Sequence, residues 1–152
     1  MALTKPRKIV SLAGAGLFRV PIAAGVTIIQ SGLVILAAGK ARPGREGQGA
    51  DNAAKAADAA TYVAVGIAQS TEKGGAADGD VSVMVDRSRP YAFKNSAAGD
   101  AITAADIGKA AYIVDDDTVA KTSPNSTRAK AGAIEDVTAE GVFVSIGKPA
   151  WA

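Results

Sequence analysis

Valine recurs at every second position of Val81-Ser-Val-Met-Val-Asp86, and Val142, Val144 and Ile146 repeat the pattern near the C-terminus. Alternate residues of an extended chain face opposite ways, so each run gives a strand with one apolar face. By the same rule Tyr62-Val-Ala-Val-Gly-Ile-Ala68 places Val63, Val65 and Ile67 together, with small residues behind them. Residues 90–93, 110–114, 128–134 and 141–146 are further predicted strands. Residues 20–39 carry no charge and are long enough to span a bilayer as a helix. Pro21, Gly25, Gln30, Ser31 and Gly32 interrupt them, however, and the β-branched content favours two strands, 26–30 and 33–37, joined at Gln30-Ser31-Gly32. Short strands with turn signals between them describe an all-β fold, a small β-sandwich or barrel. A jelly roll and an open barrel both fit this pattern.

Composition narrows the core. Alanine and glycine, 34 and 17 residues, make up a third of the 152-residue chain. Aromatic residues number only seven, so the interior rests on Val, Ile and Leu. A chain of this length suits one domain and buries roughly 70% of its extended surface. Small side chains bury little area each, so neighbouring molecules are expected to complete the burial. Cysteine and histidine are absent. Disulfides, Cys/His zinc sites, thiol nucleophiles, Ser-His-Asp triads and imidazole proton transfer are thereby excluded. The expectation is a protein that is not an enzyme and takes no cofactor, metal or small-molecule substrate.

Two segments are not strands. Residues 50–60 have helical propensity but no apolar face beyond alanine, which leaves a short surface helix and a mobile loop both open. Thr103-Ala-Ala-Asp-Ile-Gly108 reads as one helical turn, with Thr103 as its cap, Asp106 at its positive end and Gly108 as its stop. At most one or two short helices are therefore expected. Residues 42–49, with Pro43 and three glycines, read as a loop.

The net charge of +2 hides a division. Lys5, Arg7, Lys8, Arg19, Lys40, Arg42 and Arg45 are the only charges in residues 1–45. The remaining residues hold ten basic and fifteen acidic groups, a net of −5. A basic arm before an acidic body suits a negatively charged partner, although solvation of a flexible arm accounts for the same charges. Nucleic acid is disfavoured, because Phe18 is the arm's only aromatic residue for stacking.

Other motifs resolve into turns. Asp115-Asp116-Asp117 supplies oxygen ligands for a hard cation, but no glycine-bearing calcium loop follows and aspartate is a natural turn former. Asp78-Gly79-Asp80 is a turn entering a strand, and Gly14-Ala15-Gly16 lacks the rest of a phosphate loop. Asn125-Ser126-Thr127 matches a glycosylation acceptor and marks an exposed polar loop. Arg87, Arg89 and Lys94 surround Tyr91 and Phe93, and packing of the two aromatics on one strand face is favoured over nucleic-acid binding. Trp151 is expected to anchor the tail, on this chain or on a neighbour.

The order of segments carries a resemblance. Ala24-Gly-Val-Thr-Ile28 and Ser31-Gly-Leu-Val-Ile-Leu36 are followed by Ala41-Arg-Pro43, Val63-Ala-Val-Gly-Ile-Ala68 and Val81-Ser-Val-Met-Val85. Then come Ile102-Thr-Ala-Ala-Asp-Ile-Gly-Lys-Ala-Ala-Tyr112, Asp115-Asp-Asp-Thr-Val-Ala120, Ala131-Gly-Ala-Ile134 and Gly141-Val-Phe-Val-Ser-Ile146. Over residues 20–147 this resembles the capsid cement, or decoration, proteins of tailed bacteriophages. The resemblance implies a structural virion protein, made in the host bacterial cytoplasm, that binds the outer surface of the major capsid protein shell. It implies a homo-oligomer, with a trimer favoured over a dimer, and no membrane partner. A phage tail or baseplate module and a nucleic-acid-binding protein are the rival readings. The expected organisation is a basic arm at 1–19, a β-rich domain at 20–147 and a tail at 148–152. Charge division selects the arm for shell contact, through Lys5, Arg7, Lys8 and Arg19, with Leu3, Ile9, Leu12, Leu17 and Phe18 adding apolar area.

Overall fold

The computed structural model describes residues 16–152. In chain order its elements are β1 (Leu17–Pro21), β2 (Thr27–Ile28), β3 (Leu33–Ala37), β4 (Lys40–Pro43), α1 (Asn52–Ala59), β5 (Val63–Ala68) and β6 (Glu72–Lys73). There follow β7 (Ser82–Asp86), β8 (Tyr91–Asn95), β9 (Ala110–Ile113), β10 (Thr118–Ala120), β11 (Lys130–Thr138) and β12 (Gly141–Ile146). The protein is all-β. The first half forms an antiparallel five-stranded sheet in the order β1-β7-β5-β3-β4. The second half closes into a five-stranded barrel, β10-β8-β12-β11-β9, in which β10 pairs with β8 in parallel and with β9 antiparallel. A short ribbon, β2-β6, lies beside the sheet.

The continuous apolar run Leu33-Val-Ile-Leu36 explains how the halves join. A strand buried on both faces needs apolar residues at every position. Leu33 and Ile35 enter the larger core with Phe93, Ile113, Ile134, Val142 and Val144 of the barrel. Val34, from the opposite face of β3, enters a second core with Val20, Ile22, Val65, Val83 and Val85. The sheet curls over this second core. An isolated parallel bridge between Ile22 and Ala41 brings its two edges together.

The alternating runs at β7 and β12 form strands with the expected faces. Val83 and Val85 are buried in the sheet core, and Val142, Val144 and Ile146 in the barrel core. At β5 the phase differs. Val34 pairs with Gly66 but Ile35 with Ala64, so one extra residue bulges out of the ladder. The bulge turns Val63 to solvent at 55% exposure, sends Val65 to the sheet core and turns Ile67 to the barrel. The three residues therefore do not share a face.

The expected loop at 42–49 begins within a strand. Ala38 and Gly39, with φ of 49° and 77°, form the two-residue turn of the β3–β4 hairpin, which carries Arg42 and Pro43 into β4. Pro43 lacks an N–H to donate and sits at the end of an edge strand, where none is needed. Within residues 50–60 the helix is α1, Asn52–Ala59, whose N-cap Asp51 accepts from the Ala54 N–H at 2.8 Å. Residues 104–106 form a 3₁₀ turn, and the Asp106 carboxylate accepts from the Thr103 N–H and hydroxyl at 2.9 and 3.1 Å. Among the described residues no helix is long and apolar enough to cross a membrane.

Candidate interaction surface

Lys5, Arg7, Lys8, Ile9 and Leu12, with Leu3, lie outside the described residues. Leu17, Phe18 and Arg19 lie in β1, which pairs with β7 from Leu17↔Asp86 to Pro21↔Ser82. The expected boundary after residue 19 therefore falls inside a strand. Alternation along β1 divides the three residues. Phe18 packs against the sheet core and is covered by the Arg87 guanidinium, 5.0 Å from the ring centroid. Leu17 and Arg19 face outward and are exposed. Just before β1, the Gly16 carbonyl accepts from the Arg87 N–H at 2.9 Å. Gly16 has a φ of +83°, and a Cβ there would sit 2.7 Å from the Ser88 nitrogen, so glycine allows this close approach.

A second surface lies between α1, the start of β11 and the C-terminal tail. It is an open trough of about 960 Å³. Its apolar lining includes Ala59, Val63, Ala110, Tyr112, Ala129 and Pro149. Lys121, Arg128, Lys130 and Lys148 line it as well, and no Asp or Glu does. Arg128 is committed to the fold. Its guanidinium donates to Glu46 Oε1 at 2.7 Å, to Asp100 Oδ2 at 2.6 Å and to the Thr122 carbonyl at 3.2 Å. Burial pushes the Asp100 carboxyl up, but hydrogen bonds from Thr122 and Arg128 outweigh it and hold the group below the usual carboxylate range. Lys121, Lys130 and Lys148 have no ion pair among the described residues.

The wall formed by α1 is braced through Tyr62, which also lines the trough. Arg45 Nε donates to Tyr62 Oη at 2.9 Å, and Tyr62 donates to the Asp58 carboxylate. The Gln48 N–H adds a bond to Asp58 at 2.8 Å. The Tyr62 hydrogen bond keeps Asp58 ionised to lower pH than an ordinary aspartate. These bonds fix a helix that has no large apolar residue of its own.

The acidic run makes the β9–β10 turn, as its residue types suggest. Asp115 Oδ1 accepts from the Asp117 N–H at 2.8 Å, and Asp117 pairs with exposed Lys94 at 2.6 Å. The Asp116 carbonyl accepts from the Leu33 N–H at 2.7 Å, tying the turn to β3. Burial and the neighbouring Asp115 charge push the Asp116 carboxyl up. Among the described residues no acidic cluster has the arrangement of a metal site.

The remaining motifs fall into place around these surfaces. Phe93 is buried and Tyr91 packs against the same core, donating its hydroxyl to Asp86. Their side chains thus serve packing, as their alternation implies. The tail docks on its own chain through the Trp151 N–H and the Gly108 carbonyl, 2.8 Å apart, while the Trp151 residue stays 58% exposed. The three free trough lysines are dispersed over residues 121–148, so no local sequence pattern announces them. Comparison with protein families, with characterised proteins and with solved structures finds no match for this chain.

Proposed function

We propose that this protein is a structural component of a bacteriophage virion, binding the outer face of the assembled shell and stabilising its expanded form. The charge division carries the reading: every charge in residues 1–45 is positive, and the body that follows is acidic. The base of the arm supports it, since β1 directs Leu17 and Arg19 away from the sheet core. Phe18 is assigned to the protein's own core and not to the shell. A protein that binds only the expanded shell stabilises that state by mass action. An oligomer touching several shell subunits adds coupling through multivalency.

Co-sedimentation with empty expanded shells tests this, with duplex DNA in a parallel tube at moderate salt. Saturable binding to shells and none to DNA is the expected result. Binding to DNA alone would overturn it and transfer the basic arm to a nucleic-acid role. Deletion of residues 2–15, which spares β1, should abolish shell binding while the β fold keeps its circular dichroism. Extending the deletion through residue 19 removes Phe18 and most of the β1–β7 pairing, so that variant would confuse binding with folding.

A further inference from the structure

We propose that the basic trough receives the acidic β9–β10 turn of a second copy of this chain, joining copies head to tail. This deepens the oligomer part of the reading above and does not depend on shell binding.

The two surfaces are complementary in charge. The trough presents Lys121, Lys130 and Lys148, with Val63 exposed at its lining. The turn presents Asp115, Asp116 and Asp117, opposed locally by Lys94. Exposed Ile29 stands beside it. A Cβ placed on Gly32 would lie 3.1 Å from the Ile29 carbonyl and 3.2 Å from Asp116 Oδ2, so the Ile29 backbone runs close to the turn. The trough is thus net basic and the turn net acidic.

Hairpin geometry then requires two molecules. Tyr112 pairs with Ala120 and Ile113 with Val119, so the trough residues Ala110 and Lys121 lie at the open end and the aspartates at the turn. At about 3.3 Å per residue, the ends are roughly 15–20 Å apart along a paired ribbon. A turn cannot fold back onto the base of its own hairpin. Head-to-tail pairing is heterologous and yields a closed ring when the rotation closes, whereas a two-fold dimer would use both turn–trough pairs reciprocally. Charge complementarity of this kind fixes orientation and register and speeds encounter.

The test is sedimentation velocity of the full chain across concentration, with two charge-reversed variants. K130E/K148E takes the three trough lysines from +3 to −1, and D116K/D117K takes the turn from −3 to +1 at side chains that brace no other residue's N–H. Circular dichroism checks that both are folded. Wild-type protein should associate with rising concentration and dissociate with rising salt. Each variant alone should associate about a hundredfold more weakly, because like charges then face each other. A mixture of the two should recover association, because the reversed trough of one meets the reversed turn of the other. Three results would each overturn the proposal: a wild type that stays monomeric throughout, variants that associate as the wild type does, or a mixture that fails to recover. Shell co-sedimentation is scored separately, so loss of the virion reading leaves this result standing.

Discussion

In the closed barrel every strand has two hydrogen-bonded neighbours, whereas the sheet leaves β1 and β4 with one each. The barrel core gathers the larger set of buried side chains, including Phe93, Ile113, Ile134 and Ile146. The sheet core is smaller and depends on half-buried Phe18, Val26 and Leu36 at its margin. Closure removes exposed edges altogether; an open sheet must cover or bridge them. Here an isolated bridge between Ile22 and Ala41 and a hydrogen bond from the Ala23 N–H to the Ala41 carbonyl join the edges, and the basic arm leads into β1. The difference leaves open edges on the sheet and none on the barrel.

The comparison makes measurable claims, the largest in the barrel. Ile134→Ala deletes a fully buried side chain from a closed shell that cannot collapse around the gap. A loss of about 2–5 kcal/mol in denaturant unfolding is expected. Val83→Ala, equally buried in the sheet core, should cost roughly 2 kcal/mol, and a larger loss there than in the barrel would reverse the comparison. Hydrogen exchange gives the same ordering without mutation: amides of β11 and β12 should exchange most slowly, and those of β1 and β4 sooner. Phe18→Ala should cost about 2 kcal/mol, less than a fully buried phenylalanine, while Arg87→Ala should cost about 0.5–1 kcal/mol through its place over the ring.

Acid should act on both halves together. Asp58 and Asp86 in the first half of the chain, and Asp100 and Asp106 in the second, all have carboxyls held below the ordinary value of 3.8. A carboxyl lowered on folding contributes stability above its unfolded pKa and loses it as pH falls through the folded value. Thermal stability should thus hold at neutral pH and fall below about pH 4, as one transition by near- and far-UV circular dichroism. Asp116 has the opposite sign. Its raised carboxyl favours the protonated form, so its ionisation costs stability above the folded pKa. Asp116→Asn should raise stability at pH 7 by roughly 0.5 kcal/mol or less, the smallest effect in the set.

Much of the fold was legible because period-two alternation is local. β7 and β12 appear in the sequence with their faces correctly assigned, since nothing interrupts their pleat. β5 was legible as a strand but not in phase, because the bulge that flips it depends on pairing with β3. β1 and β4 were hidden for related reasons. Leu-Phe-Arg-Val-Pro is too short to declare an alternation, and the Ala38-Gly39 turn lacks the Asn-Gly or Asp-Gly signal of a tight hairpin. The acidic turn was legible from residue type alone. The trough was not, because its lysines converge only when α1, the β9–β10 hairpin, β11 and the tail are brought together.

Strand β3 has one more consequence. It is a party wall: Leu33 and Ile35 furnish one room, Val34 the other. Cutting the chain between β7 and β8 would separate sheet from barrel along the sequence, yet neither piece would be a smaller version of the whole. The sheet fragment would show Leu33, Ile35 and Ile67 to water, and the barrel fragment would lose the partners that cover Ile134 and Val144. The molecule has two cores but only one unit of inheritance, and a gene encoding either half would specify something that does not stand alone.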